Sequence, residues 1–246
     1  MSCEKRWASG HDRWWEPHWP RPEMRRKIEA LPRYIVTPET AEHRLFVWLS
    51  FPVLPDKNLI VIGRDDDLMF GLLHSRFHEL WALRKGSDLQ DRPRYTHTST
   101  FATFPFPEGF TPDIPAETAM RHPAAEEIAA AAANLDLLRQ NWLWPASLFR
   151  TEPEVVHGFP ERRVPVDAEA AQVLRSRTLT ALYNDPPEWL QRAHARLDLA
   201  VARAYGLNDL RDDDHLLEML LTLNLDRQAK EAETAKPKAQ RRNRQL

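Results

Sequence analysis

The residues best suited to chemistry lie in the first half of the chain: Arg33, His43, Arg44, Arg64, His74, Ser75, Arg76, Arg94, Tyr95, Thr98 and Ser99. An arginine fork matches a phosphate or a guanine edge, while hydroxyls and imidazoles hydrogen-bond phosphate oxygens. That set is the chemistry of nucleic-acid contact. Each member also has a plainer reading, as a helix-end charge or the outer face of a strand. His74 and His78 stand four apart on an expected helix, a spacing that can place two imidazoles on one metal. No third ligand is evident, and Ser75 follows His74, so HExxH is absent and packing explains the pair as well. Asp65, Asp66 and Asp67 would suit magnesium or, more simply, the start of a helix. The seven glycines stand alone, so neither a G-x-G phosphate turn nor a G-x-S-x-G nucleophile elbow is present.

These side chains need elements to hold them. Met69, Leu72, Leu73, Phe77, Leu80, Trp81 and Leu83 fall at helical spacing, one apolar face of about four turns. Gly86 ends that helix, and His74, Ser75, Arg76, His78 and Arg84 lie off its apolar face. A hydroxyl-rich extended run follows over 95–100, then Phe104-Pro105-Phe106-Pro107, a stiff apolar clasp. Upstream, 22–31 predicts a short basic helix, and 33–37, 45–49 and 59–62 predict strands rich in β-branched and aromatic residues. Downstream the pattern is helical: 116–142, then a proline-punctuated passage, 167–183 opened by Asp167, 187–206 opened by Pro187, and 216–225 capped by Asp212. Past Arg227 the chain is polar and is expected to be disordered.

The whole reads as α+β: a small mixed α/β module, an all-α helical region and a disordered basic tail. The expected parts are a Trp-rich basic extension (1–32), the module (33–108), the helical region (109–230) and the tail (231–246).

With 246 residues, 42% of them apolar, the chain can bury a real core. The net charge of −2 provides no global basic field, but the charge is uneven. Residues 1–35 carry eight Lys/Arg against five Asp/Glu beside Trp7, Trp14, Trp15 and Trp19, and 227–246 carry seven against two. Cys3 stands alone, which excludes an intrachain disulfide and fits the reducing cytoplasm. No apolar run approaches the roughly 20 residues of a membrane helix, so a cytoplasmic protein without a membrane partner is expected.

Four stretches carry a resemblance: LPRYIVTPETAEHRLFVWL (31–49), FGLLHSRFHELWALRKG (70–86), PRYTHTSTFATFPFP (93–107) and RTLTALYNDPPEWLQRAHARLDLAVARAYG (177–206). In this order they resemble the C-terminal part of MmeI-like class I adenosylmethionine-dependent DNA adenine methyltransferases, found in single-chain restriction–modification enzymes. The resemblance implies that the first three stretches form a target-recognition domain and the last a helical C-terminal region. It implies double-stranded DNA as partner and a catalytic domain, holding S-adenosylmethionine, outside these stretches, either supplied in trans or lost by truncation. Asn184-Asp185-Pro186-Pro187-Glu188 imitates that family's catalytic loop, but Glu188 replaces the aromatic ring that stacks on a flipped base. No catalytic residue, bound cofactor or metal is therefore expected here. The alternative is a non-catalytic protein-interaction or scaffold module, with the tryptophans as its binding face.

Overall fold

The computed structural model describes residues 21–89, 92–156 and 158–242, so the tryptophans and Cys3 of the expected N-terminal extension lie outside the described residues. Helix α1 (Pro22–Glu29) starts with proline at its first position and buries Ile28. Strands β1 (Tyr34–Pro38), β2 (Val47–Leu49) and β3 (Leu59–Ile62) form an antiparallel sheet in the order β2-β1-β3. Val36 lies opposite both Val47 and Val61, which fixes the register. The pleat divides the apolar residues between two faces. Ile35 and Ile62 enter the main core, whereas Tyr34 and Val36 pack with Ile28 beneath α1.

The central helix is two helices, not one. Asp66 caps α2 (Asp67–His74) by accepting from the Met69 amide at 2.8 Å. Ser75 then turns extended, with ψ of 152°, closing α2 and capping α3 (Arg76–Lys85). Its hydroxyl donates to the Leu72 carbonyl at 2.7 Å and accepts from the His78 amide. A buried serine that satisfies groups on both sides makes the break inexpensive, and apolar periodicity does not register it.

At Gly86 the chain turns back into a hairpin of β4 (Ser87–Leu89) and β5 (Arg92–Arg94) that the sequence pattern did not mark. An added Cβ at Gly86 would sit 2.7 Å from the Ala82 carbonyl oxygen and 2.9 Å from that of Arg94, so only glycine allows this approach. The expected extended run is instead a π-helical turn, His97–Phe101, capped by Thr96, whose Oγ1 accepts from the Ser99 amide. Local hydroxyl-to-backbone bonds outcompete the strand that the threonines favour.

The second half is helical: α4 (Ala116–Ala119), α5 (Ala125–Leu143), α6 (Ala168–Ser176), α7 (Leu179–Asn184), α8 (Glu188–Ala204) and α9 (Asp213–Arg242). Two expected helices are split, at Pro123 and at Thr178, which caps α7 through the Ala181 amide. Strands β6 (Phe149–Glu152) and β7 (Arg162–Pro165) pair within the proline-punctuated passage. Helix α9 reaches well beyond the expected 216–225, because Glu, Lys, Ala and Gln propagate a helix after its apolar stripe ends.

One core joins both halves. Gly71 of α2 lies where an added Cβ would come within 2.9 Å of Ala132 Cβ and Ile128 Cγ2 on α5 and 3.2 Å of Leu197 Cδ1 on α8. The Phe104-Pro105-Phe106-Pro107 clasp is buried. Tyr205 donates to the Pro105 carbonyl and Arg227 to that of Phe106, tying the clasp to α8 and α9. The fold is α+β.

Candidate nucleic-acid interface

The eleven expected contact residues occupy separate places, and most of their donors are already committed. Arg33 and Arg64 flank the acidic run. Arg33 lies 3.9 Å over the Trp48 ring and pairs with Asp67 at 3.0 Å. Arg64 pairs with Asp66 at 2.7 Å and donates to the carbonyls of Pro112 and Ile114. At the start of α3, Arg76 holds Glu79 at 2.7 Å and also pairs with Asp213, carboxylates that raise its pKa. Its amide donates to Asp198 at 2.7 Å. There burial, with Glu79 close by, pushes the Asp198 carboxyl up to about 7.

His74 and Ser75 are buried and structural. The His74 Nδ1–H donates to the Phe70 carbonyl at 3.1 Å, leaving Nε2 to accept from the Phe46 amide and from Arg139. Burial first, then Arg139, drive its pKa far below the usual value, so the ring is neutral. His78 is likewise interior: its Nδ1–H donates to the Leu73 carbonyl, its Nε2 accepts from the Tyr95 hydroxyl at 3.0 Å, and burial brings its pKa to about 3. The two imidazoles are therefore bound to different partners, and no group of three or more His, Cys, Asp or Glu among the described residues is arranged to hold a metal. His43 hydrogen-bonds Asn184 and lies against the Tyr183 ring, tying the β1–β2 connection to α7. Asn184-Asp185-Pro186-Pro187 is the turn that opens α8, as the sequence alone indicates.

Around the end of α3 one surface displays polar groups to solvent. Arg84 and Lys85 are exposed on the last turn of α3; Lys85 lies 5.1 Å over the Trp81 ring, and Arg84 has no partner among the described residues. The close approach at Gly86 brings β5 against this helix end, adding exposed Arg94, which is paired with Glu39. The π-helical turn after β5 presents His97, Thr98 and Ser99 to solvent. Between β5 and α3 a cleft of about 100 Å³ is lined by Ala41, Glu42, Arg44, Glu79, Leu83 and Tyr95, among others. Arg44 is 9% exposed. It donates to Thr37 Oγ1 at 3.0 Å and to the carbonyls of Pro38 and Pro93, and it lies 4.9 Å over the Tyr95 ring. Burial lowers its pKa to about 10.

Of the expected residues this surface unites Arg44, Arg94, Tyr95, Thr98 and Ser99, with Tyr95 serving as a buried support. Arg33, His43, Arg64, His74, Ser75 and Arg76 are engaged elsewhere in holding elements together. Lys85 and Arg139 were not anticipated. Arg139 was legible: it continues the buried stripe Ile128, Ala131, Ala132, Leu135 at helical spacing, so its burial followed from position alone.

The chain is similar in structure to the Type IIL restriction–modification enzyme MmeI, solved in complex with DNA, with 20% sequence identity and a TM-score of 0.54 over 80% of this chain. It spans 21% of the length of that enzyme. No family model and no curated protein matches the sequence. No helix among the described residues is long and apolar enough to cross a membrane. The fold is thus one shared with part of a restriction–modification enzyme.

Proposed function

We propose that this chain recognises double-stranded DNA as the specificity part of a site-specific DNA adenine-N6 methyltransferase of a restriction–modification system. The observation that carries this reading is the fold shared with an enzyme solved on DNA. The exposed strip of Arg84, Lys85, Arg94, Thr98 and Ser99 supports it, since cations and hydroxyls on one surface suit a phosphate backbone. In this reading residues 33–108 form the target-recognition module and 109–230 brace it. Methyl transfer and S-adenosylmethionine belong to a catalytic domain outside these 246 residues, continuous with them or supplied in trans. In this reading the protein acts in the cytoplasm.

Fluorescence anisotropy on mixed-sequence duplexes across a salt series tests this. Binding that weakens linearly with the logarithm of salt is expected. Absence of binding at the lowest salt refutes it.

A protein-interaction module without DNA binding is favoured by one separate feature. Val155, Val156 and Phe159, exposed by 86%, 56% and 43%, stand on the connection between β6 and β7. Apolar side chains so displayed suit a protein partner.

A further inference from the structure

Arg44 is a cation that the fold buries with no carboxylate paired to it among the described residues. Its three hydrogen bonds end on a hydroxyl and two carbonyls. Its Nε–H donates to nothing among them. A desolvated charge of this kind is costly unless an anion completes it. The cleft above it supplies the room. Its volume of about 100 Å³ leaves room for a tetrahedral oxyanion. The other charges at the rim are mostly spent. Glu79 is held by Arg76 and Arg94 by Glu39, which leaves exposed Glu42 as the one lining group of opposite sign without an ion pair among the described residues.

We infer that the Arg44 cleft is a phosphate subsite, in which the guanidinium fork receives one phosphate oxyanion and Glu42 competes with it at the rim. That the phosphate belongs to a DNA backbone rests on the DNA-recognition reading, because Arg84 and Lys85 continue the positive strip past the same helix end. Free phosphate offers the same oxyanion. Arginine suits the role because its planar fork meets two phosphate oxygens at once.

Two variants alter the cleft while leaving Arg44 and its structural bonds intact. Leu83 is exposed and lines the mouth. Leu83→Glu sets a carboxylate over the guanidinium and is expected to weaken duplex binding about tenfold, lowering the salt slope by about one. Glu42→Gln removes the competitor and is expected to tighten binding about threefold. In parallel, the Arg44 Nε–H resonance of the intact chain is followed by NMR during titration with inorganic phosphate. It should move in the wild type and stay fixed in Leu83→Glu.

If the wild type binds duplex but neither variant changes its affinity or salt slope, the subsite is refuted and DNA recognition stands. If no duplex binds yet phosphate moves the Arg44 resonance in the wild type alone, the subsite takes free phosphate and the DNA reading fails. A resonance indifferent to phosphate, with unchanged variants, overturns the inference.

Discussion

Arg139 Nη1 donates to His74 Nε2 across 2.7 Å, joining α5 to α2 through a fully buried cation. A second donor reaches the Phe46 carbonyl at 3.0 Å, so the same guanidinium also holds the segment leading into β2. Its Nε is buried without a hydrogen bond among the described residues. Three parts of the fold therefore meet on one side chain. Arg139→Met keeps most of the volume but leaves the Phe46 carbonyl unpaired, which costs roughly 1–3 kcal/mol. Urea unfolding measures the loss. A variant as stable as the wild type would show that the guanidinium holds nothing together.

Stability should fall on mild acidification. His78 and His194 are held neutral by burial, with pKa values brought to about 3 and about 4, and His74 also lies well below the usual 6.5. The unfolded chain takes up these three protons as pH drops below about 6.5, while the folded chain refuses them. Asp198 works against this. Its pKa of about 7 means that the folded state holds a proton between about 4 and 7 that the unfolded state has released. Burial raises the Asp136 carboxyl as well, so it opposes the histidines in the same way. Three protons still outweigh two, so thermal melts should show a lower Tm at pH 5 than at pH 7, by on the order of 1 kcal/mol per pH unit in stability. A Tm flat across that range contradicts the neutral histidines.

Asp198→Asn isolates one of the opposing groups. The amide oxygen can still accept from the Arg76 amide, and the desolvated carboxylate is gone. The variant should be more stable than the wild type at pH 8, by on the order of 2 kcal/mol, and the gain should shrink below pH 7 and vanish by about pH 4, where the unfolded state takes up the same proton that the folded state already holds. Paired melts at the two pH values check it. An equal gain at both would place the effect in packing and not in ionisation.

The sequence pattern located the three strands, the apolar clasp, the acidic helix start at Asp65-Asp66-Asp67, the caps at Asp167 and Asp212 and the opening of α8, because each is written in neighbouring residues. What it missed depends on distant partners. Ser75 divides α2 from α3 through bonds that form only when both helices are built. The π-helical turn at His97–Phe101 is held by the Thr96 cap and by Thr103, whose hydroxyl donates to the Ser99 carbonyl and accepts from the distant Trp81 indole. The interface shows the same limit. Arginines in a recognition-like stretch are conspicuous, but sequence does not say whether a guanidinium faces water or a neighbouring carboxylate. Arg33, Arg64 and Arg76 face the carboxylates of Asp67, Asp66 and Asp213. Ser75→Ala tests the first point: without the shared cap it should lose about 1 kcal/mol in urea unfolding.

The distinction between committed and free arginines yields the sharpest prediction for DNA. Arg84 has no partner among the described residues, so Arg84→Ala should leave stability unchanged within about 0.5 kcal/mol. The same variant should weaken binding to mixed-sequence duplexes and lower the salt slope by about one, as loss of a single phosphate contact does. Arg33→Ala should behave in the opposite way. Its guanidinium lies on Trp48 and pairs with Asp67, so its removal lowers Tm without changing the salt slope. The pair separates a binding face from a structural one on the same molecule, because each variant controls for the other. Weakened DNA binding in Arg33→Ala, with Arg84→Ala silent, would move the interface from the end of α3 to the acidic run before α2.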